Sequence, residues 1–243
     1  MIMVSTKLDQ MSILLKNSDG FNSNGEQMMR LYTYEHCPYC VRARMIFGLK
    51  NIPVDVIVLA NHHDETPMKL VGKKVVPILA DSEGMVMPES LDIVRYVDKK
   101  FGEPCLKELV REEVDQWLKK VSSYHNHLVL PRFTQIGLKE FEMPESVEYF
   151  TMKKSKVIGS FAENLAQTPE YLARINQDLL ELNDLIVSPK ASSGELAIED
   201  IVLFPILRNL TIVKGIEFPN KVAAYVQKMS LMTGVELYTD RAV

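Results

Sequence analysis

Residues 31–54 read LYTYEHCPYCVRARMIFGLKNIPV, and this stretch decides the fold. Leu31-Tyr32-Thr33-Tyr34 is β-favouring and runs into a Cys-Pro turn. Arg42 to Lys50 has helical spacing, with Ala43, Ile46, Phe47 and Leu49 apolar, and stops at Asn51-Ile52-Pro53. Val54 to Leu59 follows as a second strand, apolar enough to lie inside a sheet. A strand-helix-strand unit of this size crosses over right-handedly, so its two strands run parallel.

Outward from there, a short helix is expected to begin near Thr66-Pro67 and to end at Gly72. Ile78-Leu79-Ala80 reads as a third strand, turned by Asp81-Ser82-Glu83-Gly84 into Met85-Val86-Met87. After Pro88, Glu89 to Phe101 reads as a helix. The order β-α-β-α-β-β-α gives a small mixed sheet with an antiparallel edge and helices on both faces. Beyond Gly102-Glu103-Pro104 no strand pattern returns. Helical spacing resumes with Val110, Val114, Trp117, Leu118 and Val121, and again near 145–166, 170–187, 198–213 and 219–230, with Pro131 expected to kink or break the first of these. This divides the chain into a first domain over 29–101, a linker over 102–108 and an all-helical domain over 109–243. Residues 1–28, with the turn-rich run from Asn17 to Gly25, are expected to be a leader outside the fold, added in cloning or read from an upstream start codon.

Of 243 residues, 28 are basic and 32 acidic, a net charge of −4, so no basic excess exists to hold a phosphate backbone. No apolar run approaches the roughly 18 to 20 residues that span a bilayer. Three cysteines cannot close a disulfide framework, which points to a reducing compartment. These counts describe a soluble, cytoplasmic chain, expected to be a monomer, without nucleic-acid or membrane partners.

The chemistry lies at Cys37-Pro38-Tyr39-Cys40. Pro38 suits the first helical position, which puts Cys37 at the N-cap facing the unsatisfied N–H groups of the first turn. A free thiol of pKa near 8.5 is only about 3% thiolate at pH 7, and bringing it to about 5 takes about 5 kcal/mol. The helix dipole gives at most about 2 kcal/mol. Hydrogen bonds from the N–H groups of Tyr39 and Cys40 are therefore expected to supply much of the rest. Cys37 is then the exposed nucleophile and Cys40 the partner that resolves a mixed disulfide. Structural zinc would need a histidine beside Cys37, Cys40 and Cys105, and inert buried thiols are the other alternative.

Two further sites bear on the same chemistry. If the Val76–Pro77 bond is cis, it places the Val76 backbone beside Cys37 with its N–H and C=O free to pair an extended peptide; otherwise Pro77 merely opens a strand. At Pro88-Glu89-Ser90, N–H groups near Ser90 and its hydroxyl can hold a carboxylate while Glu89 holds an ammonium group; the alternative is a plain helix N-cap. The three sites together suit a thiol peptide with a free α-amino acid end, which describes glutathione. Tyr39 is expected to line its groove. Arg42, Arg44, Lys69, Lys73 and Lys74 are all candidates for its glycyl carboxylate, and His36 either tunes the Cys37 thiolate or bonds locally. Cys105, His62-His63, His125 and His127 read as packing or solvated residues, and no metal site or tightly bound cofactor is expected.

The runs His36–Cys40, Ala43–Val54, Val76–Leu79, Met87–Ser90, Leu130–Phe133, Gly194–Leu196 and Leu203–Thr211 resemble the bacterial glutaredoxin 2 family, two-domain glutaredoxins of glutathione-transferase-like architecture. The resemblance implies a thioredoxin-like first domain and a helical domain flanking the cleft. It also implies Cys37 and Cys40 as the redox pair, and glutathione held by Val76, Glu89 and Ser90. Glutathionylated or disulfide-containing proteins, arsenate reductase among them, are the partners it suggests. Where the family commonly places a capping serine ahead of Glu199-Asp200, this chain has Ala197, which puts the local folding of the second domain in doubt. A glutathione transferase is the alternative enzyme and needs no second cysteine. A redox-sensing module that inserts into membranes is the non-enzymatic one.

Overall fold

The computed structural model describes residues 28–243. The expected leader lies outside the described residues except for Met28, which is buried. Four strands, β1 (Arg30–Thr33), β2 (Asp55–Val58), β3 (Ile78–Ala80) and β4 (Val86–Pro88), form one sheet in the order β2-β1-β3-β4. β1 and β2 are parallel, while β3 runs antiparallel to both β1 and β4. Leu31, Thr33, Ile78 and Leu79 on the two central strands are fully buried, as strands covered on both faces require.

Three helices complete this half: α1 (Pro38–Leu49), α2 (Glu65–Val71) and α3 (Ser90–Lys100). α2 ends at Gly72, whose φ of 72° is the left-handed turn that glycine adopts at least cost. This is the thioredoxin-like, glutathione-transferase-like first domain, and a helical second domain follows. It contains α4 (Glu112–Ser122), α5 (His125–Phe133), a 3₁₀ turn at Lys139–Phe141, α6 (Pro144–Ile158), α7 (Phe161–Ala166), α8 (Thr168–Leu185), α9 (Ile198–Leu210) and α10 (Asn220–Thr233).

The joints differ from expectation in two places. The first helix ends at Ser122, not at Pro131, and the Ser122 and Ser123 hydroxyls donate to the Lys119 and Lys120 carbonyls of its last turn. Pro131 lies inside α5, where the Arg132 and Gln135 side chains donate to the Leu128 and Pro131 carbonyls. The single segment expected over 145–166 is two helices, parted at Gly159 and restarted by Ser160, whose hydroxyl oxygen accepts the Glu163 N–H.

Ala197 does not leave α9 uncapped. The Ile198 and Glu199 N–H groups donate to the Lys107 and Leu109 carbonyls, and the Asp200 N–H donates to the Ala197 carbonyl. The Asp200 carboxylate in turn accepts from the Ala197 N–H at 3.0 Å and from Ser192 and Tyr225. The chain between the two domains thus serves the first turn that a side chain would otherwise cap. Restoring serine should therefore gain little. Ala197→Ser is expected to change unfolding free energy by less than the about 1 kcal/mol usual for a cap, read from urea denaturation.

The domains meet where α1 packs on α9 and α10. Gly48 of α1 comes so close to the end of α10 that a Cβ there would stand 1.8 Å from the Thr233 carbonyl oxygen. That neighbour is backbone and cannot swing aside. Gly48→Ala is expected to destabilise the protein by about 1–3 kcal/mol or to part the two domains, seen as a lower Tm and faster proteolysis.

Candidate active site

The strand register brings the three sequence sites to one edge of the sheet. Tyr32 near the C-terminal end of β1 pairs with Ile78 at the start of β3, and Ile78 pairs with Pro88 at the end of β4. The loop to Cys37, the Val76–Pro77 bond and the Glu89–Ser90 corner therefore emerge together. Val76–Pro77 is cis.

Cys37 is the N-cap of α1, with extended backbone at φ −71° and ψ 119°, and Pro38 is the first helical residue. Cys37 is half-buried and Cys40 fully buried. The Cys40 thiol donates to Cys37 and is the main influence lowering the Cys37 thiol to about 6, against the opposing effect of burial. The pull of His36 comes next, followed by the N–H groups of Cys40 and Tyr39. The N–H bonds, expected to supply much of the lowering beyond the helix dipole, are thus the smaller part. Burial and the neighbouring Cys37 sulfur push Cys40 well up, so one thiol keeps its proton while the other gives it up. The Tyr34 N–H points at the Cys40 sulfur from 3.4 Å.

His36 is buried in a box of four rings: Tyr34, Phe133, Phe141 and Phe150, with centroids 5.7, 5.0, 5.3 and 5.1 Å away. Its Nδ1 lies 2.7 Å from Oε1 of Glu140, and its backbone N–H donates to the same oxygen at 3.0 Å. Burial alone would raise the Glu140 carboxyl, but these bonds hold it below the usual carboxylate range. Other residues of the helical domain grip the loop by its backbone. Arg208 and Tyr238 donate to the Glu35 carbonyl at 2.7 and 3.1 Å, and Asn209 donates to the His36 carbonyl at 3.0 Å.

Two cavities share His36 and Cys37. One, of about 360 Å³, is bordered by Tyr34, Asn61, Lys74, Val76 and Tyr149. The other, of about 990 Å³, is the cleft between the domains, bordered by Tyr39, Arg42, Leu91, His125, Val129 and Asn209. Tyr39 is 53% exposed and the Arg42 guanidinium stacks on its ring at 4.7 Å. Pro77 and Ser90 are buried, and Glu89 is exposed with φ 73° at the N-cap of α3, where no side chain caps the helix. Of the five basic residues considered for a carboxylate, Lys74 alone borders the smaller cavity; it donates to the His62 carbonyl and stacks on Tyr149. Arg42 borders the cleft, and Lys73 pairs with Glu89 at 3.4 Å. Cys105 is remote from this edge; burial and Asp98 push its thiol up to about 11.

Residues 113–242 match the family model described as glutaredoxin 2, C-terminal domain, and residues 31–105 match that of the glutathione S-transferase N-terminal domain. Glutaredoxin 2 of Escherichia coli K12 is 48% identical over 215 residues, 88% of this chain and 100% of that protein. The chain belongs to the glutaredoxin 2 family. The crystal structure of glutaredoxin 2 from Salmonella typhimurium in complex with glutathione superposes with a TM-score of 0.87 at 47% identity, covering 88% of this chain and 99% of that one. A glutathione S-transferase from Rhodospirillum rubrum F11, 16% identical with a TM-score of 0.56 over 84% of this chain and 87% of its own, shares the fold.

In this glutaredoxin the sequence reading passed over Glu140, Arg208 and Asn209 as parts of the site. Glu140 sits in the charged run Lys139-Glu140-Phe141-Glu142, where only its burial sets it apart. With a pKa near 6, Cys37 is about nine-tenths thiolate at pH 7. Alkylation of the reduced protein by iodoacetamide should rise with pH to a plateau, with a midpoint near pH 6 assigned to Cys37 by peptide mapping. Cys40 should stay unlabelled, and Cys105 should react only in alkali. A Cys37 midpoint near 8.5 would contradict the geometry.

Proposed function

We propose that this glutaredoxin is a glutathione-dependent thiol–disulfide oxidoreductase that reduces protein–glutathione mixed disulfides and protein disulfides through Cys37 and Cys40. The observation that carries the reading is the split between the two thiols: a lowered, half-buried Cys37 at a helix N-cap and a raised, buried Cys40 behind it. The Cys37 thiolate attacks the glutathionyl sulfur of a mixed disulfide, and the protein thiol departs. A second glutathione then takes the glutathionyl group as glutathione disulfide and frees Cys37. With a protein disulfide, Cys37 forms a mixed disulfide with the protein, which Cys40 resolves, and two glutathiones restore the dithiol.

Glutathione is seated, on this reading, with its sulfur at Cys37 and its central peptide paired to the Val76 backbone, next to Pro77. The α-amino acid end lies at the α3 N-terminus, with Ser90 and the free N–H groups on its carboxylate and Glu89 on its ammonium group. Lys74 is the best placed of the basic residues for the glycyl carboxylate, and Tyr39 flanks the sulfur on the cleft side. Such chemistry suits a reducing, cytoplasm-like compartment, with glutathionylated proteins and reductases that use a disulfide, arsenate reductase among them, as partners. Among the described residues no helix is long and apolar enough to cross a membrane.

Cys37→Ser is expected to abolish reduction of both a glutathionylated peptide and a protein disulfide, with glutathione turnover followed by coupled reductase. Cys40→Ser should keep much of the first activity and lose most of the second. Either activity surviving in Cys37→Ser would overturn the assignment. A transferase would instead conjugate glutathione to chlorodinitrobenzene and leave the mixed disulfide intact.

A further inference from the structure

Glu140 is a carboxylate with a single outside partner. It is wholly buried, Oε1 takes both the ring and the backbone N–H of His36, and Oε2 has no hydrogen bond. A buried carboxylate left half-satisfied costs stability. A pair placed only to hold the domains together would be replaced at little loss by apolar packing, which already surrounds it as Phe133, Phe141 and Phe150. The arrangement does something packing cannot do. An ionised carboxylate only accepts, so Nδ1 of His36 carries the proton in that bond. The four rings fix the imidazole plane, and Nε2 is the nitrogen left for exchange. The ring borders both cavities that meet at Cys37.

We propose that Glu140 and His36 form a proton relay for the thiols that leave and enter at Cys37, with Glu140 as the positioning residue and His36 Nε2 as the exchanging atom. The inference rests on the thiol–disulfide reading above. When the Cys37 thiolate attacks the glutathionyl sulfur, the new S–S bond forms as the old one breaks. The departing sulfur leaves with the electron pair and takes a proton from the Nε2–H of the imidazolium. The neutral ring then accepts the proton of an incoming glutathione thiol, whose sulfur attacks the Cys37 mixed disulfide. Glutathione disulfide leaves, and Cys37 is again a thiolate beside an imidazolium. The sum is one mixed disulfide plus one glutathione giving one free thiol and one glutathione disulfide, with no other oxidant or reductant. The ring stacks on Tyr34 of its own loop. Lys74, Tyr149 and Lys154 border the smaller cavity with His36, Arg42 on α1 and His125 on α5 border the cleft with it, and Arg208 on α9 holds the neighbouring Glu35 carbonyl. Among the described residues only Glu140 is hydrogen-bonded to the imidazole.

The test varies the leaving thiol. Reduced full-length protein and glutathione are given two mixed disulfides of glutathione, one with cysteamine and one with thionitrobenzoate. The alkyl thiol needs a proton to leave well, whereas the aryl thiolate leaves as the anion. Every loss that comes through the Cys37 thiolate or through packing falls on both substrates, so the ratio of their kcat/KM values isolates the relay. In His36→Gln and Glu140→Gln the alkyl-to-aryl ratio should fall at least about tenfold relative to the native protein, within the range general acids supply. Equal losses on both substrates, or no loss, would overturn the relay. The native protein tests it even if neither variant folds: it should handle the two disulfides at comparable kcat/KM, and a steep preference for the aryl one overturns the relay. A native protein that turns over neither substrate overturns the oxidoreductase reading itself.

Discussion

The loop that delivers the reactive sulfur is held from the far end of the chain. Its carbonyls at Glu35 and His36 accept from Arg208 and Asn209, and the His36 N–H and ring are bound by Glu140. These partners lie 104 to 173 positions away in sequence. An isolated first domain would present these groups to water and could not fix the loop, because four backbone and ring groups have no partner within the sheet. The helical domain is therefore part of the active site, not an accessory to it. Close packing of α1 on α10 at Gly48 sets the distance at which those hydrogen bonds can form.

The electrostatics follow from that placement. Two neighbouring sulfurs in a mostly buried site cannot both ionise, so the proton is assigned to the one enclosed in apolar surroundings and the charge to the one at the helix entrance. The buried carboxylate of Glu140 adds to the influences that keep the proton on Cys40, while the pull of the His36 ring, to which that carboxylate is bonded, helps lower Cys37.

How much of this could be read from the sequence varies with its range. The first domain was legible because its strands and helices carry strict periodicity and its turns carry proline and glycine at the required offsets. The motif Cys37-Pro38-Tyr39-Cys40 was legible because N-cap geometry, a proline at the first helical position and thiol chemistry reinforce one another. The joints of the helical domain were not. Pro131 signals a break, yet it lies inside α5, where the Arg132 and Gln135 side chains donate to the Leu128 and Pro131 carbonyls, while the actual break, between Ser122 and His125, carries no proline or glycine to mark it. Ala197 likewise suggested a weak helix start, because main-chain acceptors from Lys107 and Leu109 cannot be seen in a residue code. Glu140 looks like any surface acid in its run, and burial is a property of the whole fold.

It is the peptide oxygens of Glu35 and His36, not their side chains, that Arg208 and Asn209 recognise. Every residue type carries such an oxygen. Drift at position 35 is therefore invisible to this latch, whereas an exchange at 208 or 209 strikes the redox centre from another part of the gene. Lesions that disable the enzyme can thus lie in α9, a helix without a cysteine, 173 positions along the chain from the loop it holds.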